Sequence, residues 1–174
     1  MEGLVKDTRI VMGDNTEKKI QLVAAGDLVL TPTGPRKVLT SQLVSNEAKC
    51  YEVEFSNGTK LAASGSHPVY CDNSWVGIQG LKVGTPVTCL VVTVTNTVKE
   101  AKKRLVEVVE AVKNLFAKAK DDAEDALAEG DAKLKGIQFV AVVSVRELKR
   151  PTAIYNLTLE EEHCYFANGM LTHN

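Results

Sequence analysis

Long apolar runs, a basic leader, paired cysteines and an excess of either charge are all missing from this 174-residue sequence. Its longest apolar stretches, around Cys89-Val94 and Phe139-Val143, are far too short to cross a bilayer. Met1-Glu2-Gly3 opens without the basic region or apolar core of a secretory signal, so a cytoplasmic chain with no membrane partner is expected. Twenty-one Lys and Arg against 22 Asp and Glu leave a formal net charge of -1, which gives no electrostatic reason to expect nucleic acid. The four cysteines, Cys50, Cys71, Cys89 and Cys164, show no Cys-x-x-Cys spacing, so a zinc site or a redox motif is not expected and buried reduced thiols are. No metal and no cofactor is implied.

What is present, from Thr8 to Asn96, is a succession of short β-type runs broken by turn residues. Thr8-Arg9-Ile10-Val11-Met12 precedes Gly13-Asp14-Asn15, and Asp27-Leu28-Val29-Leu30-Thr31 precedes Pro32-Thr33-Gly34-Pro35. Lys37-Thr40 and Cys50-Phe55 follow, and Ser56-Asn57-Gly58-Thr59 supplies an Asn-Gly hairpin turn into Lys60-Ala63. The pattern changes at Thr97. Thr97 and Glu100 form a capping box, and Leu105, Val108, Val112, Leu115 and Ala119 recur at spacings of three and four, which predicts an amphipathic helix running on toward Gly130. Its lysine- and glutamate-rich face reads as solvated. From Ile137 the β pattern resumes through Val143, Thr152-Leu159 and a terminal hairpin around Ala167-Asn168-Gly169.

The sequence also echoes itself. Val23-Ala24-Ala25-Gly26-Asp27-Leu28-Val29 is similar to Leu81-Lys82-Val83-Gly84-Thr85-Pro86-Val87, and Lys49-Glu54 to Ala153-Thr158. An all-β fold of two related subdomains, with the helical segment inserted late in the second, would produce this.

Two stretches could carry chemistry. The last twelve residues, His163 to Asn174, read as strand, tight turn, strand, and then His173-Asn174. An asparagine amide nitrogen can attack its own backbone carbonyl, forming a succinimide and cutting the chain after itself. A neighbouring imidazole such as His173 can polarise that carbonyl or protonate the departing amine. The second stretch is Ser64-Gly65-Ser66-His67, where a hydroxyl three residues before a histidine, in a turn of small residues, could grip and strain a peptide bond.

With Ser64-x-x-His67 and the ending Ala167-Asn168-Gly169-Met170-Leu171-Thr172-His173-Asn174, supported by Gly26-Asp27-Leu28-Val29 and Ile154-Tyr155-Asn156-Leu157, the chain resembles an intein, a self-splicing domain of the Hedgehog/intein (HINT) fold. The likeness covers roughly residues 3–95 and 137–174. It implies an all-β, pseudo-two-fold, horseshoe-like fold of 3–96 and 137–174, with 97–136 an amphipathic helical insertion where larger members carry an endonuclease, hence a mini-intein. It implies single-turnover splicing in four steps: acyl shift at the upstream junction, transesterification, Asn174 cyclisation helped by His173 and His163, and relaxation to a peptide bond. The implied partners are the flanking exteins in cis, or a complementary half if the parent is split, and the protein is expected to be a monomer. The implied site is the position of Gly3 together with Ser64, His67, Asn156, His163, His173 and Asn174, which should converge.

Three residues depart from the family pattern. Counting back from Asp7-Thr8, the upstream nucleophile position falls on Gly3, where cysteine or serine is expected, so the chain is expected to be silent at that junction, with Met1-Glu2 a remnant of the upstream flank. Ser64 stands where threonine is commoner. Asn156 replaces the usual aspartate, so an amide that does not change charge near neutral pH occupies a proton-relay position. A cleavage-only domain of the same fold, and a non-catalytic β-rich binding module, are the alternative readings.

Overall fold

The computed structural model describes residues 1–94 and 133–174. Fourteen strands are present among these residues: β1 Leu4–Val5, β2 Arg9–Val11, β3 Glu17–Lys19, β4 Leu28–Thr31, β5 Gly34–Ala48, β6 Cys50–Phe55, β7 Lys60–Ser64, β8 Pro68–Cys71, β9 Ser74–Gly77, β10 Pro86–Val94, β11 Lys133–Glu147, β12 Thr152–Leu159, β13 Cys164–Ala167 and β14 Met170–His173. All pair antiparallel along one continuous path, β3-β2-β13-β14-β8-β10-β11-β6-β7-β1-β12-β5-β4, with β9 attached to β8 alone. The helix expected to run from Thr97 toward Gly130 lies outside the described residues, whereas Lys133–Gly136, assigned from the sequence to the 97–136 helical insertion, are strand: they open β11 and pair with Val91–Val94 of β10.

The internal echo is a structural repeat. Each copy begins with a 3₁₀ turn, Ile20–Leu22 or Ile78–Gly80, whose single buried residue is the isoleucine. Each then passes a glycine at positive φ, Gly26 at 93° and Gly84 at 88°, in the left-handed region that a residue with a Cβ adopts only at a cost. The amides of these glycines donate at 2.8 Å to Val38 and Val142 on the long strand that follows.

Those long strands, β5 and β11, have 15 residues each, far more than their partners β4 and β10 can pair. Their far halves cross to the other copy: β5 pairs β12, through Leu43↔Tyr155 and Val38↔Leu159, and β11 pairs β6, through Val145↔Val53. Because β6 follows β5 and β12 follows β11 in the chain, the two subdomains exchange arms. The exchange buries Val53, Phe55, Leu157 and Leu159 in one core with Leu4, Ile20, Ile78 and Tyr165. At roughly 25 cal/mol per Å² of apolar surface, burial of such side chains is the main favourable contribution to a fold built this way.

The Asn57-Gly58 turn takes a different form from a two-residue hairpin. Only Gly58 has positive φ, at 83°; Phe55 accepts from Gly58 at 2.9 Å and donates to Thr59 at 2.9 Å, the pattern of a type I turn closed by a glycine bulge. The Asn57 side chain instead accepts from the Thr59 amide at 3.0 Å. The four cysteines are free and buried, as expected.

β10 and β11 pair in unbroken register from Pro86↔Ala141 to Val94↔Lys133, so the ladder begins at Lys133. Residues Val94 and Lys133 are directly opposite, a geometry that a two-residue loop can close. Replacing residues 95–132 by Asn-Gly is therefore expected to leave the β-type circular dichroism spectrum and cooperative melting in place. An unfolded product would show that the excised segment supplies core.

Candidate functional site

The downstream end of the chain is held inside the sheet, not at its rim. β13 and β14 form a hairpin whose two turn residues, Asn168 at φ 48° and Gly169 at φ 81°, are both left-handed, as the tight twist of a two-residue loop demands. Asparagine tolerates that conformation, and here its side chain also pins the turn, accepting from Arg9 N at 2.8 Å and donating to Lys60 O at 2.8 Å. β13 lies against β2, and β14 pairs both β8 and β10. All four residues of β13 are buried.

The pairing Thr172↔Val69 decides what meets what. It sets the end of β14 beside the start of β8, with His173 near enough to His67 for its charge to act on that ring. The Asn174 amide donates to His163 O at 2.8 Å, and the imidazoles of His163 and His173 stack with centroids 5.9 Å apart. His173 Nδ1 lies 2.7 Å from the Asn174 carbonyl oxygen, the atom that accepts negative charge if the Asn174 side chain attacks its own carbonyl.

The upstream end enters the same region from the other side. β1 is inserted between β7 and β12, pairing Leu4 with both Ala63 and Tyr155, which sets Gly3 between Ser64 and Asn156. The Gly3 amide donates to Ser64 Oγ at 3.0 Å, and the Ser64 amide donates to Gly3 O at 2.9 Å. Asn156 Nδ2 faces Glu2 O at 3.4 Å. Its Oδ1 accepts from Leu157 N at 2.9 Å and from the Tyr165 hydroxyl at 3.4 Å, which leaves the amide nitrogen as the group pointing at the Glu2 carbonyl. One residue further upstream, the Met1 carbonyl accepts from Ser66 Oγ at 2.7 Å and Ser64 Oγ at 3.1 Å. A Cβ at Gly65 would meet the Gln79 side-chain amide and come within 2.9 Å of Tyr51 Cε2, so a larger residue there requires those side chains to move.

His67 closes the loop back on Ser64, donating its amide to Ser64 O at 2.9 Å. Its side chain is 0% exposed and neither ring nitrogen has a hydrogen-bond partner, an arrangement that costs stability unless the ring serves another end. Burial, and secondarily the charge of His173, hold its pKa down from 6.5 to about 3. At neutral pH the ring is therefore uncharged, with one N–H and one lone pair.

That depression has a measurable consequence. Between about pH 3 and 6.5 the unfolded chain binds a proton at this position that the folded chain does not, so stability is fully present above 6.5 and is lost as the pH falls toward 3. Asp7, lowered by its hydrogen bond to Gln21, and Asp27, lowered by the Ala24 amide, act only below their ordinary value of 3.8. Melting temperature is expected to fall between pH 6.5 and about 4.5, and His67→Gln to flatten that decline. Equal slopes in the two proteins would exclude His67 as its source.

Of the residues named from the sequence, Gly3, Ser64, His67 and Asn156 are linked by hydrogen bonds or adjacent ladder positions, His163, His173 and Asn174 form a second group in contact, and the charge of His173 acting on His67 joins the two. Tyr165 and Trp75 carried no signal of a role in the sequence, and Ser66, named within the Ser64–His67 stretch, contributes its hydroxyl. Tyr165 is 0% exposed yet directs its hydroxyl to Asn156, and only its position two residues after His163 could have hinted at this. Trp75 packs edge-to-face on His173 at 5.1 Å from a hairpin that no motif marks.

Gly3 and His173, 170 positions apart, thus both lie near the Ser64-Gly65-Ser66-His67 loop. The chain belongs to the family of intein splicing domains, whose description matches residues 10–174. It is an autocatalytic protein-splicing domain, whose substrates are the flanking polypeptides in cis. No curated protein matches the sequence. Among solved structures, the gp41-1 intein is 19% identical with a TM-score of 0.65, covering 100% of this chain and 99% of that one. A DnaB intein from Synechocystis sp. PCC 6803 is 12% identical with a TM-score of 0.65, covering 99% and 98%. A bacterial intein-like domain from Clostridium thermocellum is 17% identical with a TM-score of 0.66, covering 100% and 99%. At these identities the likeness is one of fold. No helix among the described residues is long and apolar enough to cross a membrane.

Proposed function

We propose that the Glu2–Gly3 peptide bond is the upstream splice junction, that Asn174 is the downstream one, and that this chain is silent at the first because glycine stands where the nucleophile belongs. The observation that carries this is a peptide bond gripped at both ends: its nitrogen, Gly3 N, donates to Ser64 Oγ at 3.0 Å, and its carbonyl, Glu2 O, faces Asn156 Nδ2 at 3.4 Å. On this reading residues 1–2 belong to the upstream flank, 3–96 and 137–174 form the splicing domain together with the Lys133–Gly136 start of β11, and the rest of 97–136 is an insertion. The protein acts as a monomer in the cytoplasm, without nucleic acid, and in trans only if a parent gene splits it.

With a thiol at position 3, the acyl shift moves one proton from sulfur to nitrogen as the Glu2 acyl group transfers from Gly3 N to the thiol. Neutral His67 has what that exchange needs, a lone pair to take a proton and an N–H to give one. Asn156 donates to the oxyanion forming on Glu2 O, and Leu157 N and the Tyr165 hydroxyl hold it ready to do so. A fixed amide in this position stabilises charge instead of relaying a proton. Ser64 and Ser66 hold the flank through the Met1 carbonyl, beside a cavity of about 410 Å³ also lined by Tyr51 and Gln79, where preceding residues would run. At the downstream junction His173 Nδ1 polarises the Asn174 carbonyl while the Asn174 side-chain nitrogen attacks it, expelling the amine of the next residue.

Restoring the nucleophile tests the assignment. Gly3→Cys, in a precursor with a Cys, Ser or Thr after Asn174, is expected to recover ligation of the two flanks, read by intact mass. The new Cβ would lie 3.0 Å from Ile154 Cβ and Cδ1 and 3.1 Å from Tyr155 O, so Ile154 must shift by a few tenths of an ångström. Such overpacking typically costs about 1 kcal/mol or more, hence a melting temperature lower by about 2–4 °C. A folded Gly3→Cys protein that neither ligates nor forms a thiol-cleavable linkage would place the upstream junction elsewhere.

A further inference from the structure

We infer that Trp75 is a positioning residue for asparagine cyclisation: it fixes the plane of the His173 imidazole so that Nδ1 stays aimed at the Asn174 carbonyl. The inference rests on the assignment of His173 to the downstream step. Two rings confine the imidazole. His163 stacks on it with planes 20° apart and centroids at 5.9 Å, and Trp75 meets it edge-to-face, with planes 76° apart and centroids at 5.1 Å. Tyr70 braces the indole in turn, at 5.0 Å and 74°. Edge-to-face pairs at such separations are attractive as well as space-filling.

The way Trp75 is presented favours this role over a place in the core. It sits on β9, a four-residue strand that pairs only with β8 among the described residues, and it is 39% exposed. A side chain so open, on a strand that lies off the main path, contributes little to the buried cores. Its position is nevertheless closely specified. The β8–β9 loop is Asp72-Asn73, both left-handed at φ 46° and 63°, which locks the register Tyr70↔Trp75 and points both rings to one face. The chain has a single tryptophan, and the fold spends it beside the residue adjoining the downstream junction.

A histidine free to rotate about its side-chain bonds populates the 2.7 Å contact only part of the time. Misplacement of a reacting group by about 1 Å can cost about 100-fold in rate. The test uses the full chain with a short peptide appended after Asn174, following peptide release by mass spectrometry and, separately, the upstream thiol-dependent step in the Gly3→Cys background. Trp75→Leu, which keeps apolar bulk but no ring, is expected to slow downstream release by about 10- to 100-fold with the upstream step changed by less than about 3-fold, and Trp75→Phe to restore most of the loss. The ring-current shift of the His173 carbon-bound protons should collapse in Trp75→Leu and persist in Trp75→Phe. Equal slowing of both junctions, equal loss in Leu and Phe variants, or unaltered His173 proton shifts would overturn the positioning role. His173→Ala serves as the separate control: release undiminished there would overturn the assignment of His173 itself.

Discussion

Asn174→Ala, in a precursor carrying Gly3→Cys and a cysteine after position 174, is expected to abolish release of the downstream flank. Alanine has no side-chain amide, so the succinimide cannot form, and no other group can replace an internal attack whose advantage is the enforced proximity of its two partners. The upstream steps do not involve this amide. Branched and N-terminally cleaved species should therefore accumulate and be released by added thiol. His173→Ala should retain the amide but lose the 2.7 Å contact at the carbonyl, and so slow release without ending it. Downstream release from Asn174→Ala at the rate of its parent would show that cleavage there proceeds by another route.

His67→Ala should act on the other junction. It removes the ring proposed to exchange protons with the thiol and the leaving nitrogen, a role typically worth about 10²- to 10⁴-fold in rate. Because His67 is fully buried, alanine also leaves a cavity, and a general loss of stability has to be separated from a loss of chemistry. His67→Gln provides the separation, since it nearly fills the volume and keeps an N–H donor but cannot take up a proton. If proton exchange is what matters, the upstream step should be slow in both variants, with the downstream step slowed far less. An upstream rate in His67→Gln equal to that of histidine would reduce His67 to a structural part of the loop.

On the proposed assignment, a chain arrested at position 3 still seats its upstream junction. Gly3 keeps the backbone bonds that seat the junction, because those bonds use its amide and carbonyl and not a side chain. A cysteine or serine here would carry a Cβ 3.0 Å from Ile154 and, beyond it, the sulfur or oxygen that attacks the Glu2 carbonyl, and glycine has neither. On that assignment a glycine here removes the nucleophile and leaves the grip in place.

Much of this was legible in the residues because it depends on local rules. Alternating apolar runs, positive-φ glycines and asparagines at turns, and the repeated Gly26 and Gly84 segments specified an all-β fold of two related parts, since each signal concerns a few adjacent residues whose backbone preferences are steric. Ser64-x-x-His67 and His173-Asn174 specified the candidate chemistry, because those functional groups react in few ways. Only the tertiary structure decided which ends meet. The exchange of arms between β5–β12 and β11–β6, the seat of Gly3 between β7 and β12, and the register Thr172↔Val69 arise from pairings between residues up to about 150 positions apart, which no local preference encodes. The environment of each group was settled there too: nothing in the string of letters says that His67 is uncharged, that Asn156 has its oxygen occupied and its nitrogen turned to Glu2, or that Trp75 rests on His173. Those properties depend on what the folded chain excludes from water and brings within contact distance, and they do not exist before it folds.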